Sequence, residues 1–99
     1  MKLGDKQRAF SLALAKLIIH AYELGYEITF GDVWAKTGHK PNSNHYIRLA
    51  ADLNLFKDGL FIVSGEGHDV LHDYWDTLGG AERIENDLNH YSFEYKGSR

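Results

Sequence analysis

The run Arg48-Leu49-Ala50-Ala51-Asp52-Leu53-Asn54-Leu55-Phe56 alternates without a break, with Leu49, Ala51, Leu53 and Leu55 on one side and Arg48, Ala50, Asp52 and Asn54 on the other. Successive side chains of a strand point to opposite faces, so this run is predicted to be a strand whose aliphatic side lies on a core. Asp52 then occupies the opposite face, where a carboxylate can meet a metal instead of the core. Arg48 shares that face, four residues and roughly 13 Å away at the usual rise per residue. His45 stands seven residues before Asp52. An odd spacing would put it on the wrong face of a continuous strand, so it is expected on a loop that turns its ring back towards Asp52.

A second strand, His90 to Tyr95, has the same period, with His90, Ser92 and Glu94 on one face and Tyr91, Phe93 and Tyr95 available to the core. His90 is therefore expected to point where Asp52 points. Between these strands, Lys57-Asp58-Gly59 reads as a turn and Leu60 to Val63 as a returning strand. Glu66 to Leu78 reads as a helix, with Val70, Leu71, Tyr74, Trp75 and Leu78 at helical spacing, Ser64 as its cap and Gly79-Gly80 as its end. His68 and His72 are four apart and could face a metal together, but Asp69 and Asp73 mark the segment as polar surface. Ala81 to Asn89 is a polar loop, and Lys96 to Arg99 a polar tail.

Upstream, Phe10, Leu14, Leu17, Ile18 and Ala21 predict an amphipathic helix from Lys6 to about Leu24, capped by Asp5, stopped by Gly25 and laid over one sheet face. His20 is expected at its surface or edge. Tyr26 to Phe30 reads as a strand, and Gly31 to Asn42 as a loop with one helical turn around Asp32 to Lys36. The fold class is a small single α+β domain spanning residues 1–99, helices packed on an antiparallel sheet.

Ninety-nine residues lie near the lower end of what buries a useful core unaided, and a bound metal would help. The net charge of −3 and the lack of a basic run argue against nucleic acid as partner. With no cysteine, any metal must sit on nitrogen and oxygen. The first residues, Met1 to Arg8, and an apolar run broken by Lys16 and His20 match neither a signal peptide nor a membrane span. No membrane insertion is expected.

The chemistry-bearing residues form two groups, Ser43-Asn44-His45 with Asp52, and Asp87-Leu88-Asn89-His90. Together they offer three metal ligands and one base, a constellation suited to hydrolysis. The first group resembles the Ser-x-His-(six residues)-Asp signature of the zinc-dependent peptidoglycan peptidases of family M15. Arg48 to Phe56 is similar to the phage endolysin branch, the L-alanyl-D-glutamate peptidases. The acid-x-x-His element at Asp87 and His90, and Leu78-Gly79-Gly80 before it, resemble the same branch.

That resemblance implies a hedgehog or DD-peptidase-like fold with Zn2+ on His45, Asp52 and His90. Asp87 would serve as the base, and peptidoglycan stem peptides as the substrate. It also implies a monomer made in the host cytoplasm and acting at the bacterial cell wall. Relatives carry arginine after the aromatic residue at Trp34, where this chain has Ala35. Either zinc alone would then polarise the carbonyl, or Arg48, His39 or Lys40 would partly replace the arginine, and Ser43, Arg48 and His39 are the expected substrate-side residues. The alternatives are a D-Ala-D-Ala carboxypeptidase, a zinc-binding domain that recognises wall peptides or a protein without cutting, and an interaction protein without metal.

Overall fold

Phe10, Ala13, Leu14, Leu17 and Ala21 recur every three or four residues, and in the computed structural model, which describes residues 1–99, they form the buried stripe of helix α1, Leu3–Glu23. The helix starts earlier than expected. Lys2 occupies the cap position without a side-chain bond, and Asp5 lies inside the first turn, paired with Arg8. A carboxylate is still favoured there by the helix dipole. The chain leaves α1 through Gly25 at φ +92°, a conformation that glycine adopts freely. His20 is half-buried, its ring stacked on Tyr74 at 4.0 Å.

The sheet has four strands, β1 (Glu27–Phe30), β2 (Ala50–Lys57), β3 (Leu60–Phe61) and β4 (His90–Ser92), and β2 is antiparallel to each of the others. Leu49, Ala51, Leu53 and Leu55 are all fully buried, as the alternation predicts. Ile28 faces Leu55 across the β1 pairing. On the other edge Ala51 faces Tyr91 and Asp52 faces His90. The β2–β3 hairpin turns on Asp58 and Gly59, at φ +53° and +77°, the left-handed pair that a tight hairpin requires. β3 is shorter than predicted, and Val63 beyond it is 88% exposed.

Helix α2, Glu66–Thr77, and α1 pack on the core side of this sheet. Trp75 of α2 meets Phe10 of α1, Tyr91 and Phe93 at centroid distances of 5.4–5.9 Å, and its Nε1–H donates to Ser92 O at 2.9 Å. Ser64 does not cap α2. Gly65 takes that position without a side-chain bond, and a Cβ there would lie 2.5 Å from Leu88 Cδ1. The result is a compact α+β domain, two helices on an antiparallel sheet.

The polar-surface reading of α2 is corrected at two residues. His68 and His72 lie on the inward face with Leu71 and Trp75, whereas Asp69 and Asp73 point outward and pair with Arg83. Val70, expected on the apolar face, is 46% exposed. His68 Nδ1 and the Tyr91 hydroxyl are hydrogen-bonded at 2.8 Å, which satisfies polar groups that burial would otherwise penalise. The helical turn expected around Asp32 to Lys36 is absent. Its backbone groups are used elsewhere: Asp32 O accepts from Asp52 N–H at 2.8 Å and Ala35 N–H donates to His45 O at 3.3 Å.

Burial pushes His68 down from 6.5 to about 4, with His72 adding to the fall and Asp69 opposing it. The unfolded chain takes up this proton near 6.5 and the folded one only near 4. His68 therefore costs no stability above pH 6.5 and progressively more as pH falls towards 4, in total roughly 3 kcal/mol. Urea unfolding between pH 7 and 4 should show this decline, and His68→Gln should make it shallower, with buried His72, shifted down by burial in the same way, contributing the remainder. Gly80→Ala should lower the urea midpoint at every pH, because its Cβ would lie 2.1 Å from the Trp75 indole, an overpacking worth about 1–3 kcal/mol.

Candidate metal centre

Three separate segments converge on the sheet face opposite the core. The first is a short 3₁₀-helix, Asn44–Ile47, in which the Ser43 Oγ accepts from His45 N–H at 3.2 Å. Asn44 pins this turn: its Nδ2 donates to Phe93 O at 2.7 Å and to Ser98 O at 3.1 Å, and its carbonyl accepts from Leu49 N–H at 2.9 Å. His45 is thereby held 2% exposed beside the sheet, on a turn, as the odd spacing requires.

The second and third segments are β2 and β4, whose register puts Asp52 directly opposite His90. Asp52 is also gripped from the β1 edge, where its carbonyl accepts from Gly31 N–H at 2.8 Å. A Cβ on Gly31 would crowd the Asp52 Cβ and carbonyl oxygen at 3.2 Å, so the absence of a side chain permits this approach.

His45 Nε2 and His90 Nδ1 both stand 3.2 Å from the same oxygen, Asp52 Oδ1. The donor atoms all lie within 4.8 Å of one another, and the group could hold a metal ion. Burial pushes the Asp52 carboxyl up, but hydrogen bonding to His45 and His90 and their charge outweigh it and hold the carboxyl well below the usual range. The carboxylate is therefore ionised, as a ligand must be. Two imidazoles and a carboxylate fit a divalent cation that favours nitrogen and oxygen. The remaining ring nitrogens, His45 Nδ1 and His90 Nε2, are buried without partners.

The group forms one wall of a cleft of about 480 Å³ that His39, Lys40, Ser43, Asp87 and Arg99 also line. Asp87 is exposed there, and its carbonyl accepts from His90 N–H at 3.0 Å. His39 lies over His45, their rings stacked 4.1 Å apart. Its Nε2 is 2.9 Å from Asp32 Oδ2, its N–H donates to the Tyr46 hydroxyl at 2.7 Å, and that hydroxyl donates back to His39 O at 2.6 Å.

Arg48 is not in the cleft. It does not share a strand face with Asp52, because β2 begins at Ala50 and Arg48 itself takes a left-handed φ of +57° on leaving the 3₁₀-helix. Its guanidinium lies over the Trp34 ring at 4.5 Å and lines a groove against Gln7, Phe10 and Leu14 of α1. Conversely, Asp32, Tyr46 and Arg99 were not anticipated at the site. Loop hydrogen bonds hold the first two there, and the chain's last residue folds back to pair with Glu82 at 3.3 Å; none of these leaves a periodic trace.

No family model, curated protein or solved structure matches this chain. The centre can be tested by itself. Zinc should bind in a 1:1 ratio and, at about a hundredfold excess over its Kd, should stabilise the fold by about 2.7 kcal/mol. His90→Ala and Asp52→Ala should abolish that shift in thermal unfolding, whereas His68→Gln should retain it.

Proposed function

We propose that this chain is a zinc-dependent peptidase that cleaves peptidoglycan stem peptides, with the L-alanyl-D-glutamate bond as target, in the manner of phage endolysins. The observation that carries the proposal is the convergence of His45, Asp52 and His90 on one point, with Asp87 on the rim of the same cleft. Zinc, when bound, supplies Lewis-acid polarisation of a carbonyl and acidifies water towards a pKa of about 7.

The protein groups then have separate tasks. Asp87 takes the proton of the attacking water and passes it to the leaving nitrogen as the carbon–nitrogen bond breaks, so one water is consumed and an acid and an amine are released. Asp87 is well suited to this because it is exposed and lies outside the three-ligand group. Lys40 and Arg99 bring positive charge to the cleft, which complements the carboxylates of a stem peptide and the oxyanion developing at its scissile carbonyl. Hydrogen bonding to Asp32 and stacking on His45 hold His39 at the position from which an imidazole can contact substrate. Ser43 acts in support, by capping the turn that carries His45. Such a substrate places the action of the protein at the bacterial cell wall.

A second reading, a zinc-binding domain that recognises wall peptides without cutting them, is favoured by Ala35, which stands where the resembled peptidases carry arginine. Digestion of purified peptidoglycan by zinc-loaded protein separates the readings. New L-alanine and D-glutamate termini should appear. Asp87→Ala should lower the rate roughly 10²- to 10⁴-fold with zinc still bound. Release of D-alanine alone would assign a carboxypeptidase, and intact peptidoglycan despite a full zinc complement would assign a binding domain.

A further inference from the structure

The segment joining the proposed base to the ligand His90 is short and tightly held. Asp87 N–H donates to Ile84 O at 2.9 Å, His90 N–H donates to Asp87 O at 3.0 Å, and Asn89 O accepts from Leu53 N–H of β2 at 2.9 Å. That leaves the Leu88 peptide, whose carbonyl accepts from His72 Nε2 of α2 at 2.8 Å. The Leu88 side chain reaches the same helix at its start, over Gly65, where an added Cβ would lie 2.5 Å from Leu88 Cδ1. Helix α2 therefore holds Leu88 by its carbonyl and by its side chain, one residue from Asp87.

His72 is an expensive residue for mere filling. It is 1% exposed, and its Nδ1 is buried without a partner, an unsatisfied group that an apolar side chain would not carry. Its ring stacks on Tyr91 at 4.2 Å and 12°, and Tyr91 faces Ala51, the neighbour of Asp52, across the β2–β4 pairing. The ring is thus fixed in orientation by the strand that carries His90, while its Nε2–H is aimed at the loop that carries Asp87.

We propose that His72 is a positioning residue: by fixing the Leu88 peptide it sets the direction in which Asp87 enters the cleft. Its catalytic consequence rests on the proposed peptidase function; the tether itself does not. Misplacing a reacting group by about an ångström costs up to roughly a hundredfold in rate, whereas metal binding, which uses other atoms, is untouched.

The test compares His72→Phe, which keeps an aromatic ring on Tyr91 but has no donor, with His72→Gln, which keeps a donor. In zinc-loaded protein, His72→Phe should lower kcat roughly 10- to 100-fold with KM and zinc affinity unchanged, and His72→Gln should restore most of the loss. Native-state amide exchange at His90, whose N–H closes the turn on Asp87, should accelerate in His72→Phe and return towards wild type in His72→Gln. If phenylalanine is not accommodated, His72→Met serves as the variant without a donor. Wild-type kcat and exchange in the donorless variant would overturn the proposal, as would equal impairment of both variants. Should the wild-type protein show no turnover, the proposed function fails, and the exchange measurement alone decides whether the tether exists.

Discussion

The pairing of β2 with β4 is the interaction on which the rest depends. It places Asp52 opposite His90 on one face and Ala51 opposite Tyr91 on the other, so a single register defines both the candidate metal centre and part of the core. A slip of β4 by one residue would turn His90 into the hydrophobic layer and Tyr91 out of it, and would separate His90 from Asp52. The aliphatic side chains of β2 and the aromatic cluster around Trp75 resist that slip. Hydrophobic burial thus specifies the positions of two polar side chains on the opposite face.

The same economy extends to the surrounding elements. Gly31 lets the end of β1 close against Asp52, and Asn44 ties the turn of His45 to the chain beyond β4. The outward side of α2 carries acids paired with Arg83, and its inward side carries Trp75 for the core and His72 for the Leu88 carbonyl. Each candidate ligand is therefore set on backbone that is hydrogen-bonded to a neighbouring element, which limits the reorganisation a metal would require on binding.

What was legible in the sequence follows from periodicity. The period of two in Leu49 to Leu55 and in Tyr91 to Phe93 was enough to place Asp52 and His90 on one face and to put His45 on a turn. Less regular features were hidden. The acids at positions 69 and 73 lie beside His68 and His72 in sequence but on a different side of the helix, and their polarity masked two buried rings. Arg48 looked like a continuation of β2, but the exit from the 3₁₀-helix turns its backbone left-handed. The position of His39 depends on Tyr46 and Asp32 across a loop, and such contacts between irregular segments have no one-dimensional signature.

The central claim is that His45, Asp52 and His90 together form a three-ligand metal centre open to the cleft. X-ray absorption at the zinc edge of the 1:1 complex tests it most directly. Two imidazole nitrogens and light oxygen donors at about 2.0–2.2 Å, with a total coordination of about four, are predicted. A zinc ion with no imidazole in its shell, or protein that takes up no zinc, would contradict the account.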